Sequence, residues 1–249
     1  KEFESLYADF QGAKHAVSCV NGTAALYIAM KALGIGHGDE VITTPWTFIA
    51  TSSAIVQAGG IPVFVDIEED SLNIDLDQVE AAITHNTKAI CPVHFFGRPV
   101  DMDRLMAIAK KHDLAVIEDA AHGWGGKYKD RGLGCIGDTG TFSFQFSKNM
   151  TAAEGGIILM NDDQVQVDCW SYMNCGRWPG KPWYHMENIS GNYRLTEFQA
   201  AILIAQLSRM KPQAEQRRVT HDFLYDKLAD VPGIETLGPD PDYSTERTH

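Results

Sequence analysis

Residue types able to do chemistry gather at a few places along the chain. The stretch "TFSFQFSKNMTAAEGG", Thr141 to Gly156, sets Lys148 between an apolar, aromatic run and a small-residue turn, with no acidic residue within five positions on either side. Such a lysine reads in two ways: an ammonium in water at the end of a strand, or an amine desolvated enough to attack a carbonyl. In "VIEDAAHGWGG", Glu118 and Asp119 close an otherwise apolar strand and His122 follows. An acid at that place either caps the next turn or pairs with a cationic ligand atom, and His122 is either a second contact or a loop histidine. "NGT", Asn21 to Thr23, opens a helix whose first amides and dipole offer an anion site. "PWTFIAT" puts Trp46 and Phe48 just past a strand. One of these aromatics is expected in the core, the other as a platform for a planar ring.

Taken together these are an amine, a strand-end carboxylate, an aromatic platform, a phosphate nest and a hydroxyl at Ser143. Pyridoxal 5′-phosphate asks for each of them. A lysine forms its Schiff base, an acid keeps the pyridine nitrogen protonated, and the phosphate is anchored. On this reading Lys148 is the Schiff-base lysine.

Elements must bring these residues to one place. Leu26, Met30 and Leu33 recur at helical spacing after Thr23, and the helix stops at glycine. "GDEVITTP" reads as a short strand, "TFIATSSAIVQAGG" as a helix closed by Gly59 and Gly60, and "PVFVDI" as a strand. "DLDQVEAAI" is a helix capped by Asp75, "TKAICPVHFFG" a strand, "MDRLMAIAKKHD" a helix and "LAVIEDAA" a strand. "TGTFSFQF" and "GGIILMN" are two more strands with the Lys148 turn between them. The alternation, with nearly continuous apolar strands, predicts an α/β fold: a mostly parallel sheet flanked by helices. Ligands of such sheets collect at the carboxyl ends of strands. From about residue 161 to 194 the pattern turns long, irregular and aromatic, which suits a functional loop or an interface. A strongly apolar helix, "LTEFQAAILIAQLSRM", and a charged helix from Gln213 to Leu228 follow.

Composition excludes some classes. With 249 residues, 44% hydrophobic and 22% charged, the chain has the balance of a soluble globular protein. A net charge of −12 argues against nucleic acid and anionic membranes, both of which need a basic face. Five cysteines without CxxC spacing, four in apolar or small-residue contexts, suit reduced core residues of a cytoplasmic protein and no metal site. The sequence reads without a signal-peptide pattern and without an apolar run of membrane-spanning length. Lys1 opens into a helix already under way and the far end stops in "LGPDPDYSTERTH", so the chain reads as cut at both ends. A dinucleotide-binding domain is disfavoured, because no GxGxxG follows a first strand.

In order and spacing, "GTAAL", "GDEVITTPWTFIAT", "AGGIPVFVDI", "TKAICPVHFFG", "VIEDAAHGWGG", "FSFQFSKNMTAAEGG" and "GNYRLTEFQAAIL" resemble the DegT-type sugar and cyclitol aminotransferases of the aspartate aminotransferase fold, fold type I. The resemblance implies a large domain binding pyridoxal 5′-phosphate over residues 1–210, the start of a truncated C-terminal small domain over 211–249, and a homodimer with sites at the subunit interface. It matches Lys148 to the Schiff-base lysine, Asp119 to the partner of the pyridine nitrogen and Phe48 to the stacking ring. Gly22, Thr23 and Ser143 match phosphate contacts, and His122 the residue near the ring oxygen. Asn192 and Arg194 match residues sent into the neighbour's site, Asn192 toward the cofactor and Arg194 toward substrate. The activity implied is transfer of an amino group from glutamine or glutamate to a ketone of a sugar or cyclitol. Within the family the aromatic loop looks more like the branch acting on cyclitol ketones and aminohydroxybenzoate precursors, the nucleotide-sugar branch being the alternative. A dehydratase or epimerase using the same cofactor, or a non-catalytic sensor on the same fold, are the rivals. Relatives that become dehydratases replace the lysine with histidine, and this chain keeps Lys148.

Overall fold

The computed structural model describes residues 1–237 and the backbone of 244–246. Helix α1 (Glu2–Gln11) leads into β1 (His15–Cys19) and α2 (Gly22–Ala32). Then β2 (Glu40–Thr43), α3 (Ala50–Ala58), β3 (Ile61–Phe64), α4 (Leu76–Ala81) and β4 (Thr87–Ile90) alternate. A 3₁₀ turn at Phe95–Gly97 precedes α5 (Met102–His112), β5 (Ala115–Asp119) and a small hairpin of β6 (Lys127–Tyr128) and β7 (Arg131–Gly132). Next come β8 (Thr139–Ser143), β9 (Gly156–Met160), α6 (Asp163–Met173), α7 (Glu197–Leu207), α8 (Met210–Leu228) and β10 (Ser244–Glu246).

Short polar side chains start these helices where the sequence places them. Asn21 accepts from Ala24 N at the head of α2, Asp75 from Asp77 N and Gln78 N at α4, and Asp101 from Arg104 N at α5. Thr196 and Gln199 form a reciprocal box at α7. At the other end of α3, Gly59 takes φ 96°, a left-handed conformation that favours glycine.

Seven strands form one sheet in the order β1-β9-β8-β5-β4-β2-β3. β8, β5, β4, β2 and β3 run parallel, and β9 runs antiparallel to both β8 and β1. Central strands are buried on both faces, as the runs Thr139–Ser143 and Gly156–Met160 show. Alternate strand residues feed two cores. Ile42, Ile90, Val116 and Phe142 join α1, α4 and α5, whereas Val41, Ala89, Ile117 and Ile158 join α2, α3 and α6. The predicted mostly parallel sheet with helices on both faces is therefore present.

Local readings differ from it in several places. β1 and the β6–β7 hairpin lie in stretches with no sequence assignment. The segment read as irregular begins with a helix, α6, started by Asp162 accepting from Gln164 N and Val165 N. β4 stops at Ile90, before Pro92, which lacks an N–H for the ladder. β3 is the sheet edge and is half exposed rather than buried. Three cysteines, Cys19, Cys91 and Cys169, are buried rather than four, and all five are free thiols. Of the 211–249 segment expected to begin a second domain, residues 238–243 and 247–249 lie outside the described residues.

Candidate active site

β5 and β8 end side by side, with Asp119 paired to Thr141 in the ladder and Ser143 two residues on. The head of α2 lies against the end of β8. A side chain at Gly22 would meet Ser143 Cβ at 2.8 Å, and one at Gly156 would run into the carbonyl of Asn21. These two glycines let backbone approach backbone and bring the amide-rich start of α2 next to Ser143.

A cavity of about 450 Å³ opens at these strand ends, lined among others by Gly22, Thr23, Phe48, Asp119, His122 and Lys148. Ser143 lines it as well. Asp119 is only 5% exposed. Its Oδ2 accepts from Thr51 Oγ1 at 2.8 Å and its Oδ1 from Ala121 N at 3.2 Å. Lys148 Nζ hydrogen-bonds to His122 Nε2 at 2.8 Å. Burial pushes the Lys148 amine below the ordinary lysine range, and the charge of Asp119 opposes this without cancelling it. Burial likewise raises Asp119, against the hydrogen bonds from Thr51 and Ala121 and the charge of Lys148. Of the two readings open for Lys148, the structure supports the desolvated amine.

Trp46 and Phe48 are both surface-facing, at 47% and 75% exposure, so neither is the core residue expected of the pair. Trp46 packs on Phe95 with ring centres 5.2 Å apart, and Phe48 stands at the cavity. Asn192 and Arg194 are exposed and do not line this cavity. Arg194 Nη1 donates to Asn174 Oδ1 at 3.0 Å, and its main chain bridges to Cys19. Sequence reasoning missed Thr51, whose bond to Asp119 spans a separation no local pattern carries. Its signal was a hydroxyl on the buried side of an apolar helix. Among the described residues no group of three or more metal-binding side chains occurs, and no helix is long and apolar enough to cross a membrane.

Residues 1–249 match the family described as the DegT/DnrJ/EryC1/StrS aminotransferases, the full length of the chain. The chain belongs to that aminotransferase family. Among relatives, it is 45% identical to a pleiotropic regulatory protein of Geobacillus stearothermophilus, over 92% of this chain and 60% of the relative. It is 42% identical to the GDP-perosamine synthase of Caulobacter vibrioides, over 92% of this chain and 61% of the relative. Among solved structures, 3-amino-5-hydroxybenzoic acid synthase superposes with a TM-score of 0.95 at 35% identity, covering 100% of this chain and 65% of that one. The chain thus spans about three fifths of the length of these curated family members. The family's fold type I architecture is the fold described above.

Proposed function

We propose that the chain is the cofactor-binding part of an aminotransferase using pyridoxal 5′-phosphate. It moves an amino group from glutamine or glutamate to a keto group on a sugar or cyclitol. The observation that carries this reading is the half-buried Lys148 amine, bonded to His122 beside a cavity that also holds the buried Asp119. The cavity suits the cofactor's parts. The α2 amides and Ser143, packed close because Gly22 has no side chain, would hold the phosphate. Among the cavity's lining residues, Phe48 would stack on the ring, His122 would bond its oxygen, and Asp119 would pair with its nitrogen.

When bound, the cofactor supplies a carbonyl that takes up the amino group and a ring that holds the electron pair left on carbon. Asp119 keeps a proton on the ring nitrogen, and Thr51 fixes the direction of its carboxylate. Lys148 would hold the cofactor through Nζ, and the same nitrogen would accept the proton from the donor's Cα. Burial holds this amine below the ordinary lysine range, which favours its proton-accepting form. Residues 1–210 form this large domain and 211–249 begin the small one. In a homodimer, Asn192 and Arg194 serve the neighbour's site. The kinship with an aminohydroxybenzoate synthase supports a carbocyclic acceptor, and that with GDP-perosamine synthase a nucleotide-linked sugar. Kinship with a regulatory protein favours, as a second reading, a sensor on the same cofactor.

The test is spectroscopic. Protein mixed with pyridoxal 5′-phosphate is expected to turn yellow, and borohydride reduction with peptide mapping to place the label on Lys148. Glutamine or glutamate is expected to bleach the band and one class of ketone to restore it. Lys148→Ala removes label and turnover. Colourless protein, or label on another lysine, sinks the reading; a band indifferent to donors leaves the sensor.

A further inference from the structure

On the face of β5 opposite Asp119 lies a polar cluster with no exposed surface. Glu118 accepts four hydrogen bonds, from His94 Nε2 at 2.8 Å, Gly134 N at 2.8 Å, Ile136 N at 2.7 Å and Gly137 N at 2.7 Å. His94, equally buried, accepts at Nδ1 from Val100 N at 3.2 Å. With Nδ1 accepting, Nε2 carries the ring proton that is donated to Glu118. Burial pushes Glu118 up, yet the donors from His94, Gly137 and Gly134 outweigh it and hold the carboxyl below its ordinary range.

The main chain ties this pair to the cavity. His94 N donates to the Asp119 carbonyl at 3.1 Å, and Asp119 N donates to the Pro92 carbonyl at 2.9 Å. His94 also opens the Phe95–Gly97 turn, in which Phe96 sits at φ 49°, a conformation costly for an aromatic residue. The ring of Phe96 stacks on His122, 5.8 Å between centres and 10° between planes. One pair thus touches the strand end bearing Asp119 and the turn that backs His122. A core filled only for stability would gain as much from apolar side chains at these positions.

We propose that His94 and Glu118 are positioning residues for the reaction, fixing the Asp119 carboxylate and, through Phe96, the His122 ring that holds Lys148. This rests on the cofactor reading above. Without the donor on His94, Glu118 keeps only its three backbone donors and the 92–97 main chain relaxes, so Asp119 turns from the ring nitrogen. Less positive charge is then held near Lys148, and its nitrogen keeps a proton to higher pH.

Wild type, His94→Leu, His94→Gln and Glu118→Gln are loaded with pyridoxal 5′-phosphate. The pH midpoint of the visible band and the cofactor affinity are measured, with melting temperatures taken with and without cofactor. Glutamine at 94 keeps an N–H for Glu118, so His94→Gln is expected to retain the wild-type midpoint. His94→Leu and Glu118→Gln are expected to raise it by about one pH unit and weaken cofactor binding roughly tenfold. A wild-type midpoint and affinity in all three variants, whatever their melting temperatures, overturns the proposal. So do equal shifts in the two His94 variants, and so does failure of every variant to fold even with cofactor, since the pair would then serve the core alone. A yellow wild type with unchanged variants sinks the pair but leaves the cofactor reading standing, whereas a colourless wild type removes both.

Discussion

Asp119 carries a cost that its neighbours only partly offset. Its carboxylate is buried, and burial raises its pKa above the ordinary value despite Thr51, Ala121 and Lys148. A group whose folded pKa is raised stabilises the fold fully below its unfolded pKa, and that contribution fades as pH rises through the folded value. In the cofactor-free protein at neutral pH the ionised carboxylate is therefore a burden. Asp119→Asn is expected to raise the cofactor-free melting temperature at pH 7 by about 2–4 °C, with the gain vanishing toward pH 4. The same change is expected to slow the half-reaction with the amino donor by at least ~10²-fold, because an amide cannot hold a ring cation. Scanning calorimetry across pH, beside single-turnover absorbance, checks both; a stability gain that persists at pH 4 would contradict the linkage. Lys148 and Asp119 were legible in the sequence because an amine or acid at the end of an apolar strand is chemically out of place. Thr51 and His94 were not, since each gains its meaning from a partner far along the chain: Asp119 for one, Glu118 for the other.

Among the elements, the contact between the head of α2 and the ends of β8 and β9 forms one wall of the cavity. The sequence reads "GGIILMN" as a strand, and Gly156 is its first paired residue, matched with Ser143 on one side and Cys19 on the other. Its reason for being glycine is the carbonyl of Asn21 above it. Gly156→Ala is expected to destabilise the fold by roughly 1–3 kcal/mol and to lift α2 from Ser143, weakening cofactor affinity more than Gly12→Ala, a helix end with open space around it. Denaturant melts and cofactor titration of the two variants compare them; equal losses of affinity would refute the contact's role. Helices α2 to α5 were readable from caps and periodicity. β1 was not, because a short strand is made by its partners. α6 was hidden by the polar run "NDDQVQVD" at its start.

Across the whole molecule, large apolar side chains stand in the open, among them Ile189, Phe198, Tyr184 and Phe146. Such surface is what an assembled protein covers. If Asn192 and Arg194 complete the neighbour's site, two inactive variants of the full-length protein rescue each other. Lys148→Ala is one, and the double change of Asn192 and Arg194 to Ala the other. Random pairing makes half the dimers mixed, each with one working site, so about a quarter of wild-type activity is expected. Co-expression with native mass spectrometry to confirm exchange decides it; no recovery in confirmed mixed dimers means the cluster serves its own chain. The antiparallel course of β9 also sets a clock. β1 pairs with β9 from His15 with Met160 through Cys19 with Gly156, so the strand made first waits for the one made last in this sheet. On the ribosome that wait lasts on the order of ten seconds. For most of it the head of α2 has no β8 to rest on, and throughout it β1 is an open edge exposed to wrong partners. Cofactor capture is thus a late event of synthesis, and the nascent chain needs shelter longer than its length alone would demand.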